Sequence, residues 1–248
     1  MNNVLWTGGW DSTYRVLELV LVKNKPVQPF YVLDQGRLST EIEIETMNKI
    51  KKMVGELSPG AEQLIKNPIF IKKSDAAIDP DFTQQYKNLY MIGYLGPQYD
   101  WLGRCIKKLG LENLELCIHK DDKAEFFIGE NVVHCNDNND SFYKLIESPK
   151  NPNLNIFKFY HFPLLKMTKV EMLELSQKYG FSEIMEQTWF CHEPTQNKEP
   201  CGICNPCRYT KEEGLGRRVP TPPLHKLIKR KLRTLLGRIR RLIKYKLN

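Results

Sequence analysis

Residues 4–21 read VLWTGGWDSTYRVLELVL: a short apolar run, a pair of glycines, then apolar residues at helical spacing (Val16, Leu17, Val20, Leu21). The run that stops at Thr7-Gly8-Gly9 and resumes after Asp11-Ser12 predicts strand, tight turn, helix. Such a turn aims backbone N–H groups and a helix N-terminus at one point in space, which suits phosphate oxygens. A plain βα turn capped by Ser or Asp has the same outline, so the rest of the chain has to discriminate.

Working outward, Pro26 to Leu33 predicts a second strand and Glu41 to Val54 a helix. Pro68 to Ile71 predicts a third strand. Phe82 to Leu109 predicts mostly helix, with a break at Gly96-Pro97, and Leu114 to Ile118 a fourth strand. Asn131 to Leu154 is rich in Asn and Asp and reads as an excursion or lid, with a short helix near Ser141 to Ile146. Thr168 is an N-cap candidate for a helix from Val170 to Tyr179, which Gly180 ends. Strands alternating with helices imply a parallel sheet covered on both faces, with ligands outside the carboxyl ends of its strands. That edge receives Thr7 to Ser12 and the tetrad Asp34-Gln35-Gly36-Arg37.

The 248 residues suffice for one α/β domain and a small appendage. No basic N-terminal region leads into an apolar run, and no apolar stretch approaches membrane-spanning length, so a cytoplasmic location is expected. The net charge of +8 is a property of the tail: from Arg217 onward there are twelve Lys or Arg and no Asp or Glu, which leaves 25 basic against 29 acidic residues before it. An argument for nucleic acid from charge therefore applies to the tail alone.

Four of the seven cysteines crowd into Cys191-x9-Cys201-x2-Cys204-x2-Cys207, in a polar segment turned by Gly and Pro. This spacing lets four thiolates converge on one zinc. An iron–sulfur cluster is the rival, because Cys-x2-Cys-x2-Cys also opens the bacterial ferredoxin run; the cysteine expected three residues later is missing, which favours zinc. His192 sits beside a ligand and reads as a bystander. Neither G-x-x-x-x-G-K-[ST] nor G-x-G-x-x-G after a strand is present, which argues against a P-loop NTPase and a nicotinamide dehydrogenase.

Thr7-Gly8-Gly9-Trp10-Asp11-Ser12-Thr13 after an N-terminal strand resembles the S-G-G-x-D-S loop of the PP-loop ATP pyrophosphatases, with Thr for the first Ser. Together with PLLKMTKVEMLELSQKYGF at 163–181 and TWFC followed by PCGICNPCRY, the loop makes most of residues 1–213 similar to the 7-cyano-7-deazaguanine synthase family. Asp34 to Arg37 followed by Glu41, and Lys87-Asn88, resemble further segments of that family. One segment departs from it. Where the family has Gly-Tyr-Pro-Asp-Cys near its purine-like substrate, this chain has His119-Lys120-Asp121-Asp122-Lys123-Ala124-Glu125-Phe126-Phe127.

The resemblance implies a Rossmann-like, adenine-nucleotide alpha-hydrolase-like domain over residues 1–185 and a four-cysteine zinc lobe over 186–216; it does not cover residues 217–248, which read by their own pattern as a basic amphipathic C-terminal helix. It implies an ATP-dependent carbon–nitrogen ligase that adenylates a carboxylate and transfers ammonia to it, using ATP, Mg2+ and zinc. Thr7 to Thr13 would hold the nucleotide, with Ser12 and Thr13 donating hydroxyl hydrogen bonds. Asp11, Lys169 and Arg37 would serve catalysis, the two cations by stabilising charge on departing pyrophosphate. A tRNA-modifying PP-loop enzyme and a non-catalytic nucleotide-binding scaffold are the alternatives. The tail from residue 222 to 247 has one aliphatic and one Lys/Arg-rich helical face. It reads as an interfacial helix on an anionic membrane, with docking on its own domain and an RNA-binding arm as rivals. The expected partners are thus a small carboxylate, ammonia and a membrane surface, with nucleic acid the weaker expectation and a homo-oligomer admitted.

Overall fold

A computed structural model describes residues 1–137, 139–222 and 224. The chain divides into two compact units, Met1–Trp189 and Phe190–Asn248. The 222–247 helix expected from the tail lies almost wholly outside the described residues. Among the described residues, no helix is long and apolar enough to cross a membrane.

The described strands of the first unit are β1 (Asn2–Leu5), β2 (Val27–Leu33), β3 (Ile69–Lys72), β4 (Leu114–Glu115), β5 (Val132–Asp137), β6 (Asp140–Leu145) and β7 (Tyr160–Phe162). They form one sheet in the order β3-β2-β1-β4-β7-β6-β5. The first five of these positions run parallel, and β6 and β5 are antiparallel additions at the far edge. Among the described residues the α-helices are α1 (Trp10–Leu17), α2 (Thr40–Leu57), α3 (Ala61–Leu64), α4 (Pro80–Ile92), α5 (Gln98–Lys108), α6 (Glu125–Ile128), α7 (Lys169–Lys178), α8 (Ser182–Met185) and, in the second unit, α9 (Asn205–Thr210). The fold is α/β and Rossmann-like, as the alternation of patterns predicts.

Strand alternation shows which helix covers which face. Phe30, Val32 and Ile71 join a core cluster with Phe82 and Leu89 of α4 and Leu102, Cys105 and Ile106 of α5. Tyr31, pointing the other way, gives its hydroxyl hydrogen to Glu43 of α2 at 2.9 Å, and Trp6 gives its indole hydrogen to Thr13 of α1, also at 2.9 Å. Both faces are therefore covered, as a parallel sheet requires. Helix α1 continues into a wider π turn over Glu18–Val22.

A buried charge network holds α1 to the sheet. The Arg15 guanidinium, 1 % exposed, bonds both oxygens of Glu115 on β4 at 2.7 and 2.9 Å. It also reaches Glu18 at 2.7 Å and Asp140 of β6 at 2.5 Å. Lys23 closes the group on Asp140 at 2.8 Å and Glu18 at 3.0 Å. Burying this many charges is tolerable because every carboxylate has a cation within reach.

Two expectations need correction. The excursion at 131–154 contains a β-hairpin, and Ser141 to Leu145, where a helix was expected, lies in its second strand. Its alternation (Tyr143 and Leu145 turned inward, Lys144 outward) follows the period of a strand, and Asn139 at φ 60° supplies a left-handed turn residue between the two arms. The short strand β7 has no counterpart in the sequence reading, because three residues of mixed polarity carry no period. Conversely, Thr168 caps α7 in a reciprocal capping box with Glu171.

Candidate active site and metal centre

In the parallel part of the sheet the strand order reverses beside β1, where β4 lies on one side and β2 on the other; ligands of open α/β sheets bind outside the carboxyl ends at such a point. Three strand exits meet there. The exit of β1 is the loop Trp6–Gly9, that of β4 runs through Ile118 to Asp122, and that of β7 runs to Lys169 at the start of α7. The last two are tied together where Lys120 N–H bonds the Met167 carbonyl at 3.0 Å.

The glycine pair is needed for two separate reasons. Gly8 sits at φ 68°, in the left-handed region, and a Cβ there would lie 3.1 Å from the Glu43 carbonyl and 3.2 Å from Thr46 Cγ2. Its own carbonyl accepts from Trp189 N–H at 2.8 Å. Gly9 is the extended N-cap of α1 and makes no side-chain cap, so the helix starts with backbone N–H groups facing the crevice. Ser12 braces this loop with long contacts, accepting from Thr7 N–H at 3.4 Å and donating to the Gly9 carbonyl at 3.5 Å.

Asp11, in the first turn of α1, is the focus of the convergence. Lys169 Nζ lies 3.6 Å and His119 Nδ1 3.8 Å from Asp11 Oδ2. Asp11 Oδ1 is buried and accepts no hydrogen bond among the described residues. Asp122 stands beside them, its side chain taking Ala124 N–H at 2.7 Å. Burial pushes its pKa up, against the opposing pull of that N–H, of His119 and of Lys169. Burial, with Asp122 adding to it, holds the Tyr99 phenol well above its ordinary range.

Of the residues expected from sequence, Asp11 and Lys169 come together, and Gly8, Gly9 and Ser12 form the loop beside them. Thr13 is fully buried with its oxygen occupied by the Trp6 indole, so its hydroxyl belongs to the core and not to the loop surface. Trp10 is likewise buried, while Thr7 is half-buried next to Gly9. Arg37 is held by Glu43, through Nη2 at 2.7 Å and Nε at 2.8 Å, and by Ser39 at 3.2 Å. It thereby ties the exit of β2 to the start of α2. Sequence reasoning treated His119 and Asp122 only as a departure from a familiar pattern. Their position directly after a strand on the binding edge was the signal available.

In the second unit, Cys191, Cys201, Cys204 and Cys207 are all buried, with their Sγ atoms within 4.8 Å of one another. Neighbouring separations are 3.4 Å (Cys204–Cys207), 3.7 Å (Cys191–Cys204) and 3.9 Å (Cys201–Cys207). One tetrahedral ion bound at about 2.3 Å from each sulfur requires S···S distances of about 3.8 Å. The thiolates of an iron–sulfur cluster are distributed over two or four irons, so the set as a whole needs a wider spread. The set therefore fits a single ion such as zinc. Backbone N–H groups of Ile203 and Cys204 point at Cys201 Sγ (3.5 and 3.3 Å), and that of Cys201 at Cys191 Sγ (3.2 Å), as suits sulfurs that carry negative charge. Gly202, at φ 75°, makes the turn; a Cβ there would collide with the Pro220 carbonyl at 2.5 Å.

A parallel sheet with a polar crevice at its switch point, beside an uncapped helix N-terminus, and a separate four-thiolate centre define the class: a Rossmann-like α/β protein with a metal-binding lobe. Within that class, residues 119–217 match the family described as Queuosine biosynthesis protein QueC. The match supports the likeness to PP-loop proteins of the 7-cyano-7-deazaguanine synthase kind. It takes in His119, Asp122, Lys169 and the four cysteines, whereas the TGGWDST loop and Arg37 lie outside it. No curated protein gives a significant match to the chain.

Proposed function

We propose that the protein is an ATP-dependent carbon–nitrogen ligase of the queuosine pathway, which activates a carboxylate on a 7-deazaguanine by adenylation and passes it to ammonia. The observation that carries this reading is the approach of Lys169 and His119 to Asp11 at the uncapped start of α1, within a chain whose 119–217 stretch matches a queuosine-biosynthesis family. In the first step a carboxylate oxygen attacks the α-phosphorus of ATP, the bond to the bridging oxygen breaks, and pyrophosphate leaves. Ammonia then attacks the acyl carbon, loses a proton, and expels AMP to leave an amide. Repetition on the amide oxygen, which departs with a second AMP, gives the nitrile.

The chain's residues have definable tasks in this scheme. The N–H groups at the start of α1 receive phosphate oxygens, and the helix dipole favours their charge. Lys169 offsets the charge accumulating on pyrophosphate. Asp11 Oδ1, a hard oxygen with no hydrogen bond among the described residues, fits a Mg2+ ion that would neutralise the same phosphates. His119 and Asp122 face the acceptor side, where this chain departs from the family pattern. Zinc in the four-cysteine centre would have a structural task, since four thiolates fill its coordination.

The test is product analysis with ATP, ammonium and 7-carboxy-7-deazaguanine: AMP and pyrophosphate are expected in step with amide or nitrile. ADP and orthophosphate as products would exclude the class, and pyrophosphate release that requires RNA would favour a tRNA-modifying enzyme. We further propose reversible attachment of a cytoplasmic protein to anionic membranes, a reading supported by the two-faced pattern of residues 222–247 in the sequence. Flotation with anionic and neutral liposomes, comparing the full chain with one ending at Arg218, tests it; equal partitioning would remove the support.

A further inference from the structure

Asp122 is a carboxylate that the fold positions at the crevice and leaves without a cation. It lies half-buried on the exit of β4, where one of its oxygens accepts from Ala124 N–H at 2.7 Å and its own N–H bonds the His119 carbonyl at 3.0 Å. The Tyr99 hydroxyl of α5 also bears on it, the Tyr99 ring being held against Phe157 at 5.4 Å. A carboxylate has about four acceptor positions, so capacity remains after these contacts. The charges felt at Asp122 are those of His119, Asp11 and Lys169, the three groups that converge at the start of α1. Lys169 and His119 both approach Asp11, at 3.6 and 3.8 Å, whereas Asp122 forms no ion pair among the described residues.

Drawing a carboxylate out of water with no cation beside it is costly, and burial pushes the Asp122 pKa up accordingly. A cation or a proton would relieve it. The nitrogen donor of the proposed reaction brings both in one molecule, because at neutral pH it arrives as ammonium, which has no lone pair to attack with until it loses a proton. A base with a raised pKa, placed beside the reacting centre, is suited to remove that proton. Asp11 is drawn to Lys169 and to the phosphate side of the crevice, and His119 is only 3 % exposed, so Asp122 is the more accessible of the groups on the acceptor side.

Resting on the adenylating reading above, we infer that Asp122 is a further catalytic residue, which captures ammonium at the crevice and takes one proton from it. The lone pair so freed forms the C–N bond to the acyl carbon, and the C–O bond to AMP breaks, AMP leaving as a phosphate anion. The surplus proton on nitrogen passes to water, and Asp122 then releases its own to solvent. The test is Asp122→Asn, which can still accept from Ala124 N–H, made in the full chain and assayed with ATP, Mg2+ and 7-carboxy-7-deazaguanine. Ammonium is the nucleophile in one reaction and hydroxylamine, a free base at neutral pH, in the other. Amide formation from ammonium is expected to fall about 100-fold or more, while hydroxamate formation and acceptor-dependent exchange of labelled pyrophosphate into ATP stay within about 3-fold of wild type. Should this variant fail to fold, Asp122→Ser keeps an acceptor for Ala124 N–H and asks the same question. Equal losses with the two nucleophiles, or undiminished amide formation, would overturn the assignment. Absence of pyrophosphate exchange in the wild type would instead remove the adenylating reading, and the role of Asp122 with it.

Discussion

Arg15→Met removes a cation and keeps most of the side-chain volume, so its effect isolates charge. Arg15 is 1 % exposed and bonds Glu115, Glu18 and Asp140, which belong to three elements and leave Glu115 and Asp140 more than nine-tenths buried. Removing one partner of such a group leaves buried carboxylates uncompensated, at a cost of about 3–5 kcal/mol. Part of this is separable. The Asp140 carboxyl is lowered from 3.8 to about 2, against the cost of its burial, by hydrogen bonds and charge from Arg15 and then Lys23. That shift corresponds to about 2 kcal/mol. Because the folded pKa is depressed, this stabilisation is present above pH about 4 and is lost as the pH falls toward about 2. Glu115, raised chiefly by burial, has the opposite sign: what it contributes is greatest at low pH and declines as pH rises through its folded pKa. Urea unfolding at pH 7 should give a lower midpoint at unchanged slope, corresponding to at least about 3 kcal/mol. Adding Glu115→Leu should recover a large part of the loss, since the pair then disappears together. Asp140→Asn offers a milder probe, expected to cost about 2 kcal/mol at pH 7 and little at pH 2. A loss below about 1 kcal/mol for Arg15→Met, or no recovery in the double variant, would refute the account of the network as an obligate charge balance.

Gly8→Ala should lower stability by about 1–3 kcal/mol, from its left-handed backbone and the contact with the Glu43 carbonyl, while Gly9→Val, with ordinary backbone angles, should fold and yet lose pyrophosphate release; retained activity in the second would disprove phosphate approach at that position. Lys169→Met is expected to slow pyrophosphate formation by about 100-fold or more with little effect on Tm, and an unchanged rate would remove Lys169 from the chemistry. Metal analysis should return about one zinc per chain, and Cys207→Ser should destabilise the Phe190–Asn248 unit far more than it alters the reaction measured on surviving protein; visible absorption from a brown protein would point to iron instead.

The sequence by itself determined those features whose cause lies within a few residues. Strand, Gly8-Gly9 turn and α1 follow one another because apolar spacing and a glycine at a left-handed position are local properties, and Thr168 with Glu171 announces the start of α7 in the same way. The cysteine spacing was legible for a similar reason, since the turn at Gly202 and the start of α9 at Asn205 bring Cys201, Cys204 and Cys207 together within seven residues. Tertiary structure alone decided the rest. Asp11, His119 and Lys169 are more than a hundred and fifty positions apart end to end, and only the β1-β4-β7 order brings them to one point. Nothing local to Arg15 announces that Glu115 and Asp140 meet it from distant strands and make it part of the interior. Thr13 shows the same limit in reverse: beside Ser12 it reads as a phosphate contact, but the helix turns it inward to the indole of Trp6. Local propensity depends on neighbours in the chain, whereas the charge balance and the site depend on which strand exits become neighbours, and strand pairing fixes that.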